Sequence, residues 1–171
     1  MKFIPHDYQK CAVAFIEKNE IACLLLDMGL GKTVITLTAL KHLLDNGVVR
    51  RILIVGPLRV ARDTWPAEIK KWDHLKGLKY SVAVGSTLKR IEAINDKTAQ
   101  IVIINRENVD WLIKHNSFDY DMVVIDELSS FKSHKSKRFK ALMSKRPFVK
   151  RIVGLTGTPS SNGLMDLWAE F

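Results

Sequence analysis

Short apolar runs recur along the chain at Ala22–Leu26, Arg51–Val55, Ser81–Val84, Gln100–Ile104, Met122–Ile125 and Arg151–Leu155. Several are unbroken Ile/Val/Leu rather than alternating, as expected of strands covered on both faces of a parallel sheet. Between them lie helix-compatible segments with amphipathic spacing, such as Val34, Ile35, Leu37, Thr38 and Leu40, and later Phe139, Leu142 and Met143. Alternating strand and helix with such connections predicts right-handed βαβ crossovers and an α/β fold, a three-layer sandwich on a mainly parallel sheet. No internal repeat, Ser/Gly-rich linker or composition break divides the chain, so residues 1–171 are expected to form one domain. In such sheets ligands bind beyond the carboxyl ends of the strands, which directs attention to the residues that follow each run.

Composition supports a packed core: 171 residues, 47% apolar and 26% charged, against a globular average of about 25% charged. No run approaches the roughly 18 residues of a membrane span. Pro5, His6 and Asp7 interrupt any signal-peptide core behind Lys2. Cys11 and Cys23 are too few for a disulfide framework or a zinc site, and Cys23 reads as a reduced core residue. The expectation is a soluble cytoplasmic protein, in a bacterial or phage-infected host cell and open to association with the nucleoid, with no membrane and no zinc.

The net charge of +9 is unevenly placed. Nine basic residues fall between Leu128 and Met165 with no Asp or Glu among them: Lys132, Lys135, Lys137, Arg138, Lys140, Lys145, Arg146, Lys150 and Arg151. The remaining 18 basic residues are balanced by the 18 acidic ones. A local basic face of this kind meets a polyanion, most often nucleic acid, or serves as a solvated helix face.

Three strand ends carry chemistry. After the first run comes Asp27-Met28-Gly29-Leu30-Gly31-Lys32-Thr33, then a helical pattern. Gly29 and Gly31 let backbone N–H groups turn toward an anion, and the next helix offers its N-terminus. Lys32 would reach the β- and γ-phosphates of a nucleotide, and the Thr33 hydroxyl would hold Mg²⁺. Leu26 stands where the strict Gly-x-x-x-x-Gly-Lys-Ser/Thr pattern has its first glycine. The fifth run ends in Asp126-Glu127, placing Asp126 to bind Mg²⁺ and Glu127 to orient or deprotonate the attacking water. The sixth leads into Leu155-Thr156-Gly157-Thr158-Pro159-Ser160-Ser161-Asn162, by itself no more than a turn.

Together these three motifs resemble the first RecA-like lobe of superfamily-two helicases. Within them they resemble the Swi/Snf-type DNA translocases, and in compact spacing the phage-encoded members. The resemblance implies ATP and Mg²⁺ as cofactors, bound by Met28, Gly29, Leu30, Gly31, Lys32 and Thr33 with Asp126. It implies Lys32, Asp126 and Glu127 as catalytic residues and double-stranded DNA as partner. Tyr8-Gln9 resembles the glutamine motif, with Gln9 reading adenine. Pro57 and Trp65, in the segment from Gly56 to Trp72, resemble a Pro-x(n)-Trp motif that touches the tracking strand. Asn105 and Arg106 match a further backbone-contacting motif, and Lys132 a lysine beyond the Asp-Glu box. Thr156 and Thr158 would couple nucleotide state to DNA contact. Ser129 replaces the histidine typical of these motors, and His6 stands near where the family often has arginine.

The resemblance also implies a second RecA-like lobe, in cis or in trans, beyond residues 1–171. That lobe supplies an arginine accounting for about 10³–10⁵ in rate, so the isolated lobe is expected to be nearly inactive. A nucleotide- and nucleic-acid-binding module without turnover, and an RNA-directed lobe of the same superfamily, are the alternative readings.

Overall fold

In a computed structural model of the chain, residues 1–115, 118–131 and 137–157 are described. Six strands form one all-parallel sheet: β1 (Ile21–Leu25), β2 (Ile52–Gly56), β3 (Tyr80–Ala83), β4 (Ile101–Asn105), β5 (Met122–Ile125) and β6 (Arg151–Thr156). Each lies within one residue of an apolar run. Six helices connect or flank them: α1 (Asp7–Lys18), α2 (Lys32–Asp45), α3 (Trp65–Lys71), α4 (Thr87–Asn95), α5 (Val109–His115) and α6 (Lys137–Met143).

The two-residue period of each strand divides the core into two layers. Ile52, Ile54, Ile101, Ile103, Val124 and Leu155 pack against α1, α2 and α3. Leu53, Val55, Val102, Ile104, Val123 and Ile125 pack on the opposite face against residues of α4, α5 and α6. The central strands β2, β4 and β5 are buried along their whole length, which explains why their sequences do not alternate. Much of α2 is buried as well, from Val34 to Leu40 and at Leu43 and Leu44. Its Thr36 and Thr38 tolerate burial because their hydroxyls donate to the carbonyls one turn back, Lys32 O and Val34 O, at 2.7 Å each.

Strand order is β1-β6-β5-β2-β4-β3. The chain therefore leaves β1, crosses to β2 in the middle of the sheet, and later fills the gap with β5 and β6. That crossover brings the loop after β1 beside the ends of β6 and β5, gathering motifs at positions 27–33, 126–127 and 155–157 of the sequence. After β2 the chain enters a single π turn, Val60–Thr64, that runs directly into α3. Pro66 has no N–H to donate, so the hydrogen-bond register changes there; the Trp65 N–H reaches back five residues to Val60 O.

Candidate nucleotide site and the groove beside it

The phosphate loop is strained only at its glycines. Gly29 and Gly31 both adopt φ +84°, a left-handed conformation that a side chain would disfavour by about 1–2 kcal/mol. Gly31 is also packed: a Cβ there would lie 2.7 Å from Gln9 Nε2. It caps the N-terminus of α2, whose first residues are Lys32 and Thr33. Lys32 Nζ donates to Leu26 O at 2.7 Å. Above it sits Gly157, where a Cβ would approach that amine to 3.1 Å. Thr156, buried at the end of β6, accepts from the Leu26 N–H at 3.2 Å and so anchors the start of the loop.

Gln9 is buried against this loop. Its Oε1 accepts the His6 N–H at 2.9 Å and its Nε2 points to Leu30 O at 3.4 Å, while the Tyr8 hydroxyl donates to the same carbonyl at 3.0 Å. The residue expected to read adenine thus also ties α1 to the phosphate loop. Met28 and Leu30 project outward, Met28 almost fully exposed.

The acidic pair is asymmetric. Asp126 is buried, its N–H held by Val55 O at 2.7 Å. Its Oδ1 accepts the Glu127 N–H at 2.9 Å and its Oδ2 the indole N–H of Trp65 at 3.0 Å. Burial pushes the Asp126 carboxyl above the usual carboxylate range, opposed by those two hydrogen bonds and by the charge of Lys32. A hard divalent cation such as Mg²⁺ relieves such desolvation, and the Asp126 carboxylate and Thr33 hydroxyl are the oxygen donors it prefers, so the residues present fit that ion. Glu127 is exposed and has φ +53°, the one non-glycine with positive φ among the described residues. Residues held in sparsely populated backbone regions cluster at functional sites.

Gln9, Gly29, Gly31, Lys32, Thr33, Asp126 and Glu127 share one cleft of about 740 Å³. Its remaining wall includes Phe3 and Ile4, which no motif marks, together with Glu68 and Trp72. Phe3 is fixed there edge-on to the Trp72 ring and stacked on His74.

A second groove, of about 730 Å³, opens on the far side of the π turn and α3. Leu58, Arg62, Pro66 and Lys70 form one wall; Lys89, Gly85, Asn105 and Asn108 lie across it over a floor of Tyr80, Val82 and Val84. It is lined by three cations and no acid, although Arg62 is paired with its neighbour Asp63 at 2.8 Å. Asn105 is buried and held from both ends, donating to Glu107 at 3.0 Å and accepting from Asn108 at 2.6 Å. Arg106 pairs with Glu107 at 3.2 Å. Pro57 is half-buried at the entrance to the π turn.

Two expectations are corrected by this arrangement. Trp65 is fully buried, so its ring has no surface to offer a DNA strand; its polar edge is turned inward to Asp126. Among the described residues, the basic run is not one face. Arg151 lies at the start of β6, the opposite end of the sheet, and donates to the α1 carbonyls of Ile16 and Glu17 at 3.0 and 2.9 Å and to Asn19 O at 3.3 Å. Arg146 donates to Val149 O at 2.7 Å. The cations of the groove are instead dispersed in sequence, and the signal that would have found two of them is the four-residue spacing 58, 62, 66, 70. Lys132 and Thr158 lie outside the described residues. Among the described residues, no helix is long and apolar enough to cross a membrane.

Comparison with known proteins agrees with this geometry. The chain is 36% identical over 176 residues to protein p41 of Acyrthosiphon pisum secondary endosymbiont phage 1, covering 98% of this chain and 38% of that protein. Helicase swr1 of Emericella nidulans is 32% identical over 166 residues, covering 92% of this chain and 9% of that relative. Among solved structures, the Sulfolobus solfataricus SWI2/SNF2 ATPase core in complex with dsDNA matches with a TM-score of 0.83 at 25% identity, over 99% of this chain and 35% of that one. The chain thus spans well under half the length of each of them. Residues 8–171 match the SNF2-related domain, and with a parallel sheet that gathers the phosphate loop, the Asp-Glu box and the glutamine motif into one cleft, the chain belongs to that family.

Proposed function

We propose that residues 1–171 are the nucleotide-binding, RecA-like lobe of an ATP-driven motor that moves along duplex DNA. The observation that carries this reading is the convergence of Gln9, the Gly29–Thr33 loop, Asp126 and Glu127 on one cleft, with an acid-free cationic groove sharing its wall.

In this reading the loop's backbone N–H groups and the N-terminus of α2 bind the phosphates. Lys32 Nζ exchanges Leu26 O for β- and γ-phosphate oxygens. Thr33 and Asp126 hold Mg²⁺, which when bound neutralises charge on the phosphate oxygens. Glu127 orients the attacking water and accepts its proton on a carboxylate oxygen. Thr156 fixes the mouth of the loop, and Gly157 leaves room for Lys32 to move. Gln9 and Tyr8 position the base end, and Lys70, Lys89 and Arg62 meet the phosphate backbone of the duplex. A second RecA-like lobe completes the site with an arginine, so the chain alone binds nucleotide and turns it over slowly.

The test is steady-state phosphate release from Mg-ATP by this chain, with and without duplex DNA, beside direct nucleotide binding. Detectable binding with near-background turnover is expected. Strong stimulation by duplex would mean that the chain completes its own site, and the two-lobe reading would fall. Absence of nucleotide binding would remove the functional reading altogether.

A further inference from the structure

The π turn and α3 form a wall common to both clefts. Along this helical path, residues four apart lie on one side. Val60, Thr64 and Glu68 face the nucleotide cleft, while Arg62, Pro66 and Lys70 face the cationic groove. The two stripes are offset by two residues, roughly half a helical turn, so one element presents opposite sides to two ligands. Displacing it changes both clefts together.

Trp65 is the inward anchor of that wall. It is the largest fully buried side chain of the described residues, at the junction where the hydrogen-bond register changes. Its indole N–H is bonded to Asp126 Oδ2 at 3.0 Å, and Asp126 Oδ1 is bonded to the backbone N–H of Glu127. One oxygen of the carboxylate is thus fixed by its own strand end and the other by the wall. Thr38 and His74, hydrogen-bonded at 2.8 Å, join α2 to the loop that follows α3 without involving this carboxylate. The indole of Trp65 is thus a direct polar link from the wall to the Asp126 end of the nucleotide cleft.

We propose that Trp65 is a positioning residue that couples the two clefts: occupation of the groove shifts the wall, and the indole carries that shift to Asp126. This rests on the nucleotide and duplex reading given above. Coupling between two binding sites is reciprocal, so it is measurable as binding, without turnover.

The experiment measures the affinity of residues 1–171 for Mg-ADP with and without a saturating 20-base-pair duplex, for the native chain and for Trp65→Phe. Phenylalanine keeps most of the apolar volume and removes the N–H. The native chain is expected to change its Kd for Mg-ADP at least about fivefold on adding duplex, the lower end of ordinary coupling. In Trp65→Phe the factor should fall below about twofold, with duplex affinity alone and metal-free ADP affinity unchanged. Retention of the native factor overturns the proposal. So does a native factor of one, which leaves the functional reading standing. A native chain that binds neither ligand overturns that reading and the coupling with it. Should Trp65→Phe fail to fold, the assigned indole N–H resonance of Trp65 in the native chain decides: it must shift on adding duplex and again on adding Mg-ADP, and a resonance that duplex leaves unmoved overturns the coupling.

Discussion

The two ends of the sheet use the same residue types in opposite ways. At the strand-start end, charge is tied into the framework. The Arg50 and Arg51 N–H groups donate to the two oxygens of Asp121 at 2.9 Å each, and Arg50 pairs with Asp119 at 2.6 Å. The buried Arg51 guanidinium donates to Ile94 O and Asp96 O, and Arg151 serves the end of α1. At the strand-end side the backbone is left-handed at Gly29, Gly31 and Glu127, and the charged groups Lys32, Asp126 and Glu127 line a cleft. An arginine tied to framework carbonyls and carboxylates stabilises a fold; a carboxylate and an amine held around a cavity are placed for a ligand. The difference lies in surroundings, not in residue type.

The contrast breaks most sharply at catalysis. Lys32→Ala and Glu127→Gln should each lower ATP turnover by about 10²–10⁴-fold in a protein that includes the second lobe, with the melting temperature nearly unchanged. Steady-state phosphate release beside thermal melting checks this. A turnover equal to the native value would separate the strained carboxylate from the chemistry.

Substitution at the other end should do the reverse. Arg51→Leu leaves Asp119 short of a partner and two carbonyls without a donor, a loss of about 3 kcal/mol. Arg151→Met should cost about 2 kcal/mol by freeing the end of α1. At roughly 2–4 °C per kcal/mol for a domain of this size, both are visible as lowered melting temperatures. Nucleotide affinity at a temperature where the chain stays folded should not change.

Two glycines sharpen the comparison further. Gly31→Ala adds both strain at φ +84° and a clash with Gln9, so nucleotide affinity and stability should fall together, the latter by about 1–2 kcal/mol. Gly47→Ala, at φ +69° with open space around it, should lower stability by about 1 kcal/mol and leave nucleotide binding intact. Equal loss of binding in both would show that the effect is global.

The smallest effect is electrostatic. Hydrogen bonds from Lys76 and from the N-terminal amine hold Asp73 well below its ordinary 3.8, at about 2. A depressed carboxyl stabilises the fold above its unfolded value, and that contribution is lost as pH falls through about 2. Asp73→Asn should therefore flatten the acid side of a melting-temperature profile slightly between pH 4 and 2, because the group is exposed and solvent screens it.

Much of this was legible along the chain. The strands announced themselves because a segment buried on both faces needs unbroken Ile and Val, as in Ile101–Ile104. Gly29 and Gly31 were legible because few other residues accept their φ, and Asp126-Glu127 because a carboxylate pair at a strand end, weak evidence alone, gains meaning beside the upstream glycine loop. The inward turn of Trp65, expected to touch DNA, was not, since nothing local in an indole followed by proline says which way the ring faces. The run Lys132–Arg151 misled for a related reason: sequence proximity of charges says nothing about which end of a strand each occupies, and Arg151 starts a strand whose far end bears Thr156.

The strand positions, the phosphate loop and the acidic box could be read off the chain, because each depends on local periodicity or on the conformational needs of a few adjacent residues. Tertiary structure alone decided that β6 and β5 lie between β1 and β2, that α3 separates two clefts, and that Trp65 holds Asp126. Those contacts join residues as far apart as Ile21 and Ile152, and they exist only because the burial of two apolar faces fixes the order in which the strands pack.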